Sequence, residues 1–266
     1  MVRDALDLAA ASVKAVTTSR GLFILRSVGE IGLVMAEVMA PVVLAFRFGS
    51  IAGWSGAEVA LLIGLSRSGQ GFAYLLGRGL DPANFAQTVR EGRFDQVLVR
   101  PVSPVVWMMT SDIQLRYLFR GLTGVGIVVV AGNRAGLPWT GPNIALLVLA
   151  ATACGTMLLA INVLGASLTL ITSEGSEITN LLGDGGLGLI SFPLDLYGSP
   201  LRFVFTFVIP VGLCVYVPLL VVLGRDGPGF LGSGLLWALP GVLGGFVAAS
   251  SLAWRLALTH YRSTGS

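Results

Sequence analysis

Apolar stretches long enough to cross a membrane recur along this chain, and they enclose one conspicuous polar loop, residues 78–104. About 20 apolar residues carry a helix through the hydrocarbon layer of a bilayer. Within that layer a helix satisfies its own backbone hydrogen bonds. Charged residues make up 12% of the chain and hydrophobic ones 54%, with a mean hydropathy of +0.82. Soluble domains carry about 25% charged residues, and so few charges cannot cover a soluble body of 266 residues. The 36 glycines point the same way, because glycine lets membrane helices approach closely. The chain reads as a single all-α integral membrane domain over 1–266.

Hydropathy places six transmembrane spans at 22–46, 57–77, 105–132, 143–171, 178–196 and 234–256. Residues 2–17 are amphipathic: Val2, Leu6, Ala9, Val13 and Val16 share one face, and Arg3, Asp4, Asp7 and Lys14 the other. They read as an interfacial helix within 1–20, or as the start of a longer first helix. Residues 201–224 are also apolar, but Pro210 and Pro218 interrupt them. That segment, within 197–225, reads as a broken or re-entrant pair of helices before the last span. With six spans, Arg3, Lys14, Arg20, Arg78, Arg90, Arg93, Arg100, Arg255 and Arg262 fall on one side, and Arg47, Arg134, Arg202 and Arg225 on the other. The first side is then expected to be cytoplasmic, with both termini on the cytoplasmic side of the cell membrane.

Several function classes are excluded. Lys14, the one lysine, follows Ala-Ala-Ala-Ser-Val, so there is no phosphate-cradling loop and the chain is not its own ATPase of that type. The net charge of +3 is not gathered into a nucleic-acid stripe. Cys154 and Cys214 have no His or acidic neighbour at ligand spacing, so no metal site is expected. Gly64-Leu-Ser-Arg-Ser-Gly69 resembles a nucleophile turn, but the lone His260 lies beyond the last span. Helix packing through Gly64, Ser66, Ser68 and Gly71 is the expectation instead. No cleavable signal peptide is expected, since charges interrupt the first twenty residues.

Two sets of residues carry the functional reading. Glu30 and Glu37 lie seven apart on the first span, Arg67 lies in the second, and Asp112, Arg116 and Arg120 follow at spacings of four on the third. A charge at a helix centre costs about 2.5–3.5 kcal/mol by insertion scales. They are expected to line a translocation path or to form buried ion pairs. The second set is the loop. Phe85, Val89 and Gly92 recur on one side, and Arg90, Glu91, Arg93, Phe94, Asp95, Val97, Leu98, Arg100 and Pro101 follow. This short amphipathic helix presents Phe94, Val97 and Leu98 among charges. It suits docking into a groove on a partner, or resting on lipid headgroups.

The stretch Glu91-Gly-Arg-Phe-Asp-Gln-Val-Leu-Val-Arg-Pro-Val-Ser-Pro104 resembles the loop of type-2 ABC export permeases, in a six-span branch with the pattern Gly-x-x-Asp-x-x-Leu-x-Arg-Pro-x-Ser-Pro. Gly92, Asp95, Leu98, Arg100, Pro101, Ser103 and Pro104 match it. Phe192-Pro-Leu-Asp-Leu-Tyr-Gly-Ser-Pro-Leu-Arg202, Tyr216-Val-Pro-Leu and the tail from Trp254 through Tyr261 to Gly265 also resemble that family. The resemblance implies an interfacial N-terminal helix, six spans, a cytosolic coupling helix between spans two and three, and short outer helices before span six. It also implies partners. Two ATPase subunits bind ATP and Mg, and a second permease, identical or different, completes the transporter. The implied activity is export of an amphipathic molecule such as a drug, natural product or lipid, with no catalysis in this chain. The alternative is an ion-coupled secondary transporter or channel using Glu30, Glu37, Asp112 or Asp184.

Overall fold

A computed structural model of the chain describes residues 20–172, 188 and 192–261. Among them the protein is helical, with no strands. Two long helices, α1 (Arg20–Phe48) and α2 (Gly56–Gly77), lead into a connector of short ones: α3 (Pro82–Arg90), α4 (Arg93–Leu98) and α5 (Pro104–Ser111). Then follow α6 (Arg116–Arg134), α7 (Gly141–Ile171), α8 (Ser199–Phe203), α9 (Val211–Leu223) and α10 (Leu239–His260). Four segments are long and apolar enough to cross a membrane: Gly21–Leu44, Gly56–Arg90, Gly141–Ile171 and Ser233–His260. Two bent pairs make six if each is one span. The expected interfacial helix, Asp184, and the expected fifth span up to residue 191 (Gly188 aside) lie outside the described residues.

Helix α2 is the hub. Its apolar window is 83% buried, against 28% for α1 and 11% for the segment holding α10. Ser55 starts it with a capping box, its hydroxyl accepting from the Glu58 amide while the Glu58 carboxylate accepts from the Ser55 amide. One side of α2 meets α6 through bare backbone. A Cβ on Gly71 would lie 2.3 Å from the Gly121 nitrogen, and one on Gly124 would lie 2.6 Å from the Ser68 nitrogen. The other side meets α7, where a Cβ on Gly69 would lie 2.7 Å from the Ala151 carbonyl oxygen. Such small-residue seams bring membrane helices into close van der Waals contact. The Ser66 and Ser68 hydroxyls donate to the Leu62 and Gly64 carbonyls of their own helix. That is the packing role expected of Gly64, Ser66, Ser68 and Gly71.

The expected third span, 105–132, is not one helix. The chain breaks between Ser111 and Arg116, and α5 and α6 meet at 80°. No proline or glycine lies within the break itself. Gly79 packs so tightly on α5 that a Cβ there would lie 2.0 Å from the Met108 carbonyl oxygen. The break places Asp112 off α6, so Asp112 does not continue the spacing of Arg116 and Arg120. The described tail of the expected fifth span is likewise no span but a single turn, Leu194–Leu196. Pro193 precedes it, and Arg202 takes the carbonyls of Leu194 and Asp195 at 3.0 Å each.

The apolar segment 201–224 is broken, as expected. Its two arms, Ser199–Val208 and Val211–Leu223, meet at 102°. Only Pro210 sits at the break; Pro218 lies inside α9, which continues through it. Helix α9 has 13 residues, a rise of about 20 Å at 1.5 Å per residue, short of the ~30 Å hydrocarbon layer. Every residue from Val211 to Leu220 is buried, so its backbone lies inside protein rather than lipid. A re-entrant element needs that cover.

Candidate functional site

The connector is built around an aromatic cluster. Asp81 opens α3: one carboxylate oxygen accepts from the Asn84 amide at 3.3 Å, and the other pairs with Arg78 at 2.8 Å. Pro82 occupies the first turn, where its missing N–H costs nothing. Gly92 stops the helix in the left-handed region at φ 67° and starts α4 in a new direction. The turn lays Phe85 and Phe94 edge to face at 5.1 Å, with Trp254 of α10 at 5.7 and 6.2 Å and Tyr261 at 5.4 Å from Phe94. Leu80, Val89, Val97, Met108 and, from α7, Ala166 and Leu170 complete the cluster. The Tyr261 hydroxyl donates to Asp95 at 3.0 Å. Burial and that bond push its phenol up to about 12.

The expectation that Phe94 and Val97 project outward is therefore corrected. Phe85, Val89, Phe94 and Val97 are all buried inside this chain, because Trp254 and Tyr261 supply the groove that a partner was expected to supply. Gly92 and Asp95 are half-buried. Arg90, Glu91, Arg93, Leu98, Arg100 and Pro101 form the exposed ridge, joined by Val99 at 85% exposure. Glu91 accepts from Gln87 at 2.8 Å and pairs with Arg93 at 2.6 Å. The Gln87 bond and the Arg93 charge hold its carboxyl below the usual range. Arg100 lies 3.9 Å above the Trp107 ring. Beneath the ridge is a polar cavity of about 450 Å³ lined by Asn84, Gln87, Arg93, Gln96, Arg100 and Asp112, among others.

The charges within the helices form one network across α1, α2 and α6. Glu30 accepts from Arg120 at 2.9 Å and lies 3.7 Å from Arg116. The Gln70 side-chain oxygen accepts from both Arg120, at 2.9 Å, and Arg67, at 2.8 Å. Arg67 in turn faces Glu37 at 2.9 Å, an ion pair by distance whose angle falls short of a hydrogen bond. Five of the six expected residues thus meet. Asp112 stands apart, taking the Gln114 amide at 3.0 Å. Gln70, the hinge of the network, is uncharged and carried no signal in the sequence. Among the described residues no group of His, Cys, Asp or Glu is arranged to hold a metal.

A second cluster lies at the opposite end of the helices from the connector. The Asp195 carboxylate accepts from the Trp54 indole at 2.7 Å and from the Tyr216 hydroxyl. Arg225 pairs with Glu58 at 2.7 Å, donates to the Gly53 carbonyl at 2.9 Å and lies 4.8 Å above the Trp54 ring. The turn after α1, the Leu194–Leu196 turn and α9 are thereby clasped together. Asp195 and Tyr216 fall within the stretches that resemble the permease family. Trp54 had no sequence signal beyond its being a tryptophan.

Searches of curated proteins and of solved structures gave no match. A model of the ABC-2 family transporter proteins matches residues 31–265. That range takes in the connector, the broken segment 199–223 and all of the charge network except Glu30. The chain therefore belongs to the ABC-2 transporter family, as a multi-pass membrane permease subunit of the kind that associates with ABC ATPases.

Proposed function

We propose that this permease is the membrane half of an exporter, driven through residues 78–104 by two separate ATPase subunits that bind ATP and Mg. The connector faces the cytoplasm in this reading, with both chain termini on the same side of the cell membrane. A second permease, identical or different, completes the pathway, and the cargo is an amphipathic molecule. The observation that carries the reading is the division of labour within the connector. Its aromatic face is locked onto α7 and α10, while Leu98 and Val99 stand exposed beside Arg90, Arg93 and Arg100. Apolar side chains held rigidly in water among arginines are the composition of an interface centre. A push on the ridge passes to two long helices as a rigid-body movement, the usual means of converting a nucleotide-driven bias into work.

The alternative of ion coupling through intramembrane carboxylates finds less support. Glu30 and Glu37 each already face a guanidinium, the arrangement of a structural ion pair.

The test is a double substitution, Leu98→Asp with Val99→Asp. Both side chains are exposed, so the thermal unfolding midpoint should stay at the wild-type value. The ATPase should no longer co-purify in mild detergent, and ATP-driven transport should stop. Retention of the ATPase with normal transport would refute the proposed docking surface.

A further inference from the structure

Helices α1, α2 and α6 enclose a second cavity, a groove of about 470 Å³, in the size range of small-molecule sites. Its walls include Val42 of α1, Ala60 of α2 and Ile127 of α6, and only Thr123 and Arg134 bring polar groups to it. Arg134 lies in the last turn of α6, at the end away from the connector. Among the described residues it makes no ion pair. That sets it apart from Arg225, which is paired with Glu58, and from the arginines of the intramembrane network.

The level of Arg134 in the bilayer follows from its neighbours. Asn133 accepts from the Trp139 indole at 2.7 Å, and Trp139 is partly exposed. A half-exposed tryptophan with a satisfied N–H sits at the boundary between headgroups and hydrocarbon. Arg134 therefore stands at headgroup level, at one end of an apolar groove walled by α1, α2 and α6. Arg47, in the last turn of α1, is at the same end but does not line the groove.

We propose that this groove binds one anionic phospholipid of the surrounding bilayer, an acyl chain lying along α6 and the phosphate on Arg134. The charge decides the selectivity. Lipid tails are as apolar as the groove walls, so moving a tail from the bilayer into the groove gains little by hydrophobicity. A basic residue near a membrane surface favours an anionic headgroup over a zwitterionic one by about fivefold. This assignment is independent of the connector's role.

Native mass spectrometry of the detergent-purified 266-residue chain tests it, with dioleoyl phosphatidylglycerol titrated against dioleoyl phosphatidylcholine. The wild type should retain a single phosphatidylglycerol about fivefold more than phosphatidylcholine. Arg134→Gln should equalise the two, and Arg134→Lys should restore the preference. Gly126 lines the groove and has nothing within 4 Å of where a Cβ would stand. Gly126→Phe should fill the groove and remove the adduct of either lipid. Persistence of the preference in Arg134→Gln, or of the adduct in a folded Gly126→Phe, would overturn the proposal. So would loss of a dimer in Gly126→Phe with lipid retention unchanged, since a second copy would then be what covers the groove. Arg134 is exposed, so its two variants keep the proposal testable even if Gly126→Phe fails to accumulate.

Discussion

Helix α1 and the connector are fastened to the same body of α2, α6 and α7, but by opposite means. Helix α1 leaves Ile24, Leu25, Val28, Leu33 and Met39 exposed and buries only a narrow stripe, including Val34 and Val38. In a bilayer, lipid tails compete for apolar surface on equal terms with neighbouring helices. What distinguishes the docked position of α1 is polar: Glu30 on Arg120 and Arg116, Glu37 on Arg67, with Gln70 joining the arginines. The connector is too short and polar to span a bilayer, and at the membrane edge water restores the hydrophobic effect, at about 25 cal/mol per Å². There the work falls to Phe85, Phe94, Trp254 and Tyr261, while its exposed ion pair, Arg93 with Glu91, is of the screened surface kind. Charge selects position where apolar contact is unselective, and apolar contact selects it where charge is screened.

The most severe test removes the body that both depend on. Gly71→Leu drives a side chain into the Gly121 backbone, 2.3 Å from where its Cβ would stand, and backbone cannot yield as a side chain tip can. The expected result is loss of folded protein, beyond the ~1–3 kcal/mol of ordinary overpacking. Size-exclusion profiles in detergent would show it. Gly126→Ala, on the same helix as Gly121 but with open space around it, should behave as wild type.

Next in size, Phe94→Ala should cost about 3–5 kcal/mol as a large aromatic cavity. It should speed tryptic cleavage at Arg90 and Arg93, yet leave α1 in place. Glu30→Gln should do the reverse. Breaking a buried ion pair in water costs ~3–5 kcal/mol, but a helix loosened within a bilayer finds other partners, and about 1–2 kcal/mol is expected. Ser27 is buried on α1 one turn from Glu30, and both native cysteines are buried. Maleimide labelling of Ser27→Cys should therefore accelerate in Glu30→Gln and stay slow in Phe94→Ala. Equal acceleration in both would show that the two attachments are not independent.

How much of this was legible in the sequence differs along the same line. The helices of the expected second and fourth spans were legible within two residues, since α2 and α7 are long apolar runs with clear starts, Ser55 before one and Pro142 in the first turn of the other. The break at 112–115 was not, because no proline or glycine marks it, and α5 is held instead by close packing of Met108 on Gly79, a contact between segments rather than a local preference. Polar Thr110, Ser111 and Asp112 in succession were the only local hint. In the connector the apolar positions Phe85, Val89, Phe94 and Val97 were legible as a buried face, while Leu98, read with them, stays exposed. The cover of that face was not, since periodicity reports that a face is buried and cannot tell whether the burying surface lies in a partner or in Trp254 and Tyr261, about 160 residues downstream. The ion-pair residues announced themselves by being charged in apolar surroundings. Gln70, equally central, did not.

The finest distinction lies inside the aromatic cluster, between the Tyr261 ring and its hydroxyl. Tyr261→Phe keeps the ring 5.4 Å from Phe94 and removes the O–H that donates to Asp95. A hydrogen bond to a charged group is worth ~1.5–3 kcal/mol when buried. At this partly exposed site, solvent screening reduces the expected loss to about 0.5–1 kcal/mol. The pH dependence identifies the source. Burial and the Asp95 bond push the tyrosine's folded pKa up to about 12, above the ~10 of an unfolded tyrosine. The stabilisation is thus complete below about pH 10 and disappears as pH rises through 12. The gap between wild type and Tyr261→Phe in tryptic half-time at Arg93 should be constant from about pH 7 to 9 and narrow above about pH 10. A loss as large as that of Phe94→Ala would mean that the hydroxyl, not ring packing, holds the connector. The contrast with α1 would then collapse, because both attachments would be polar.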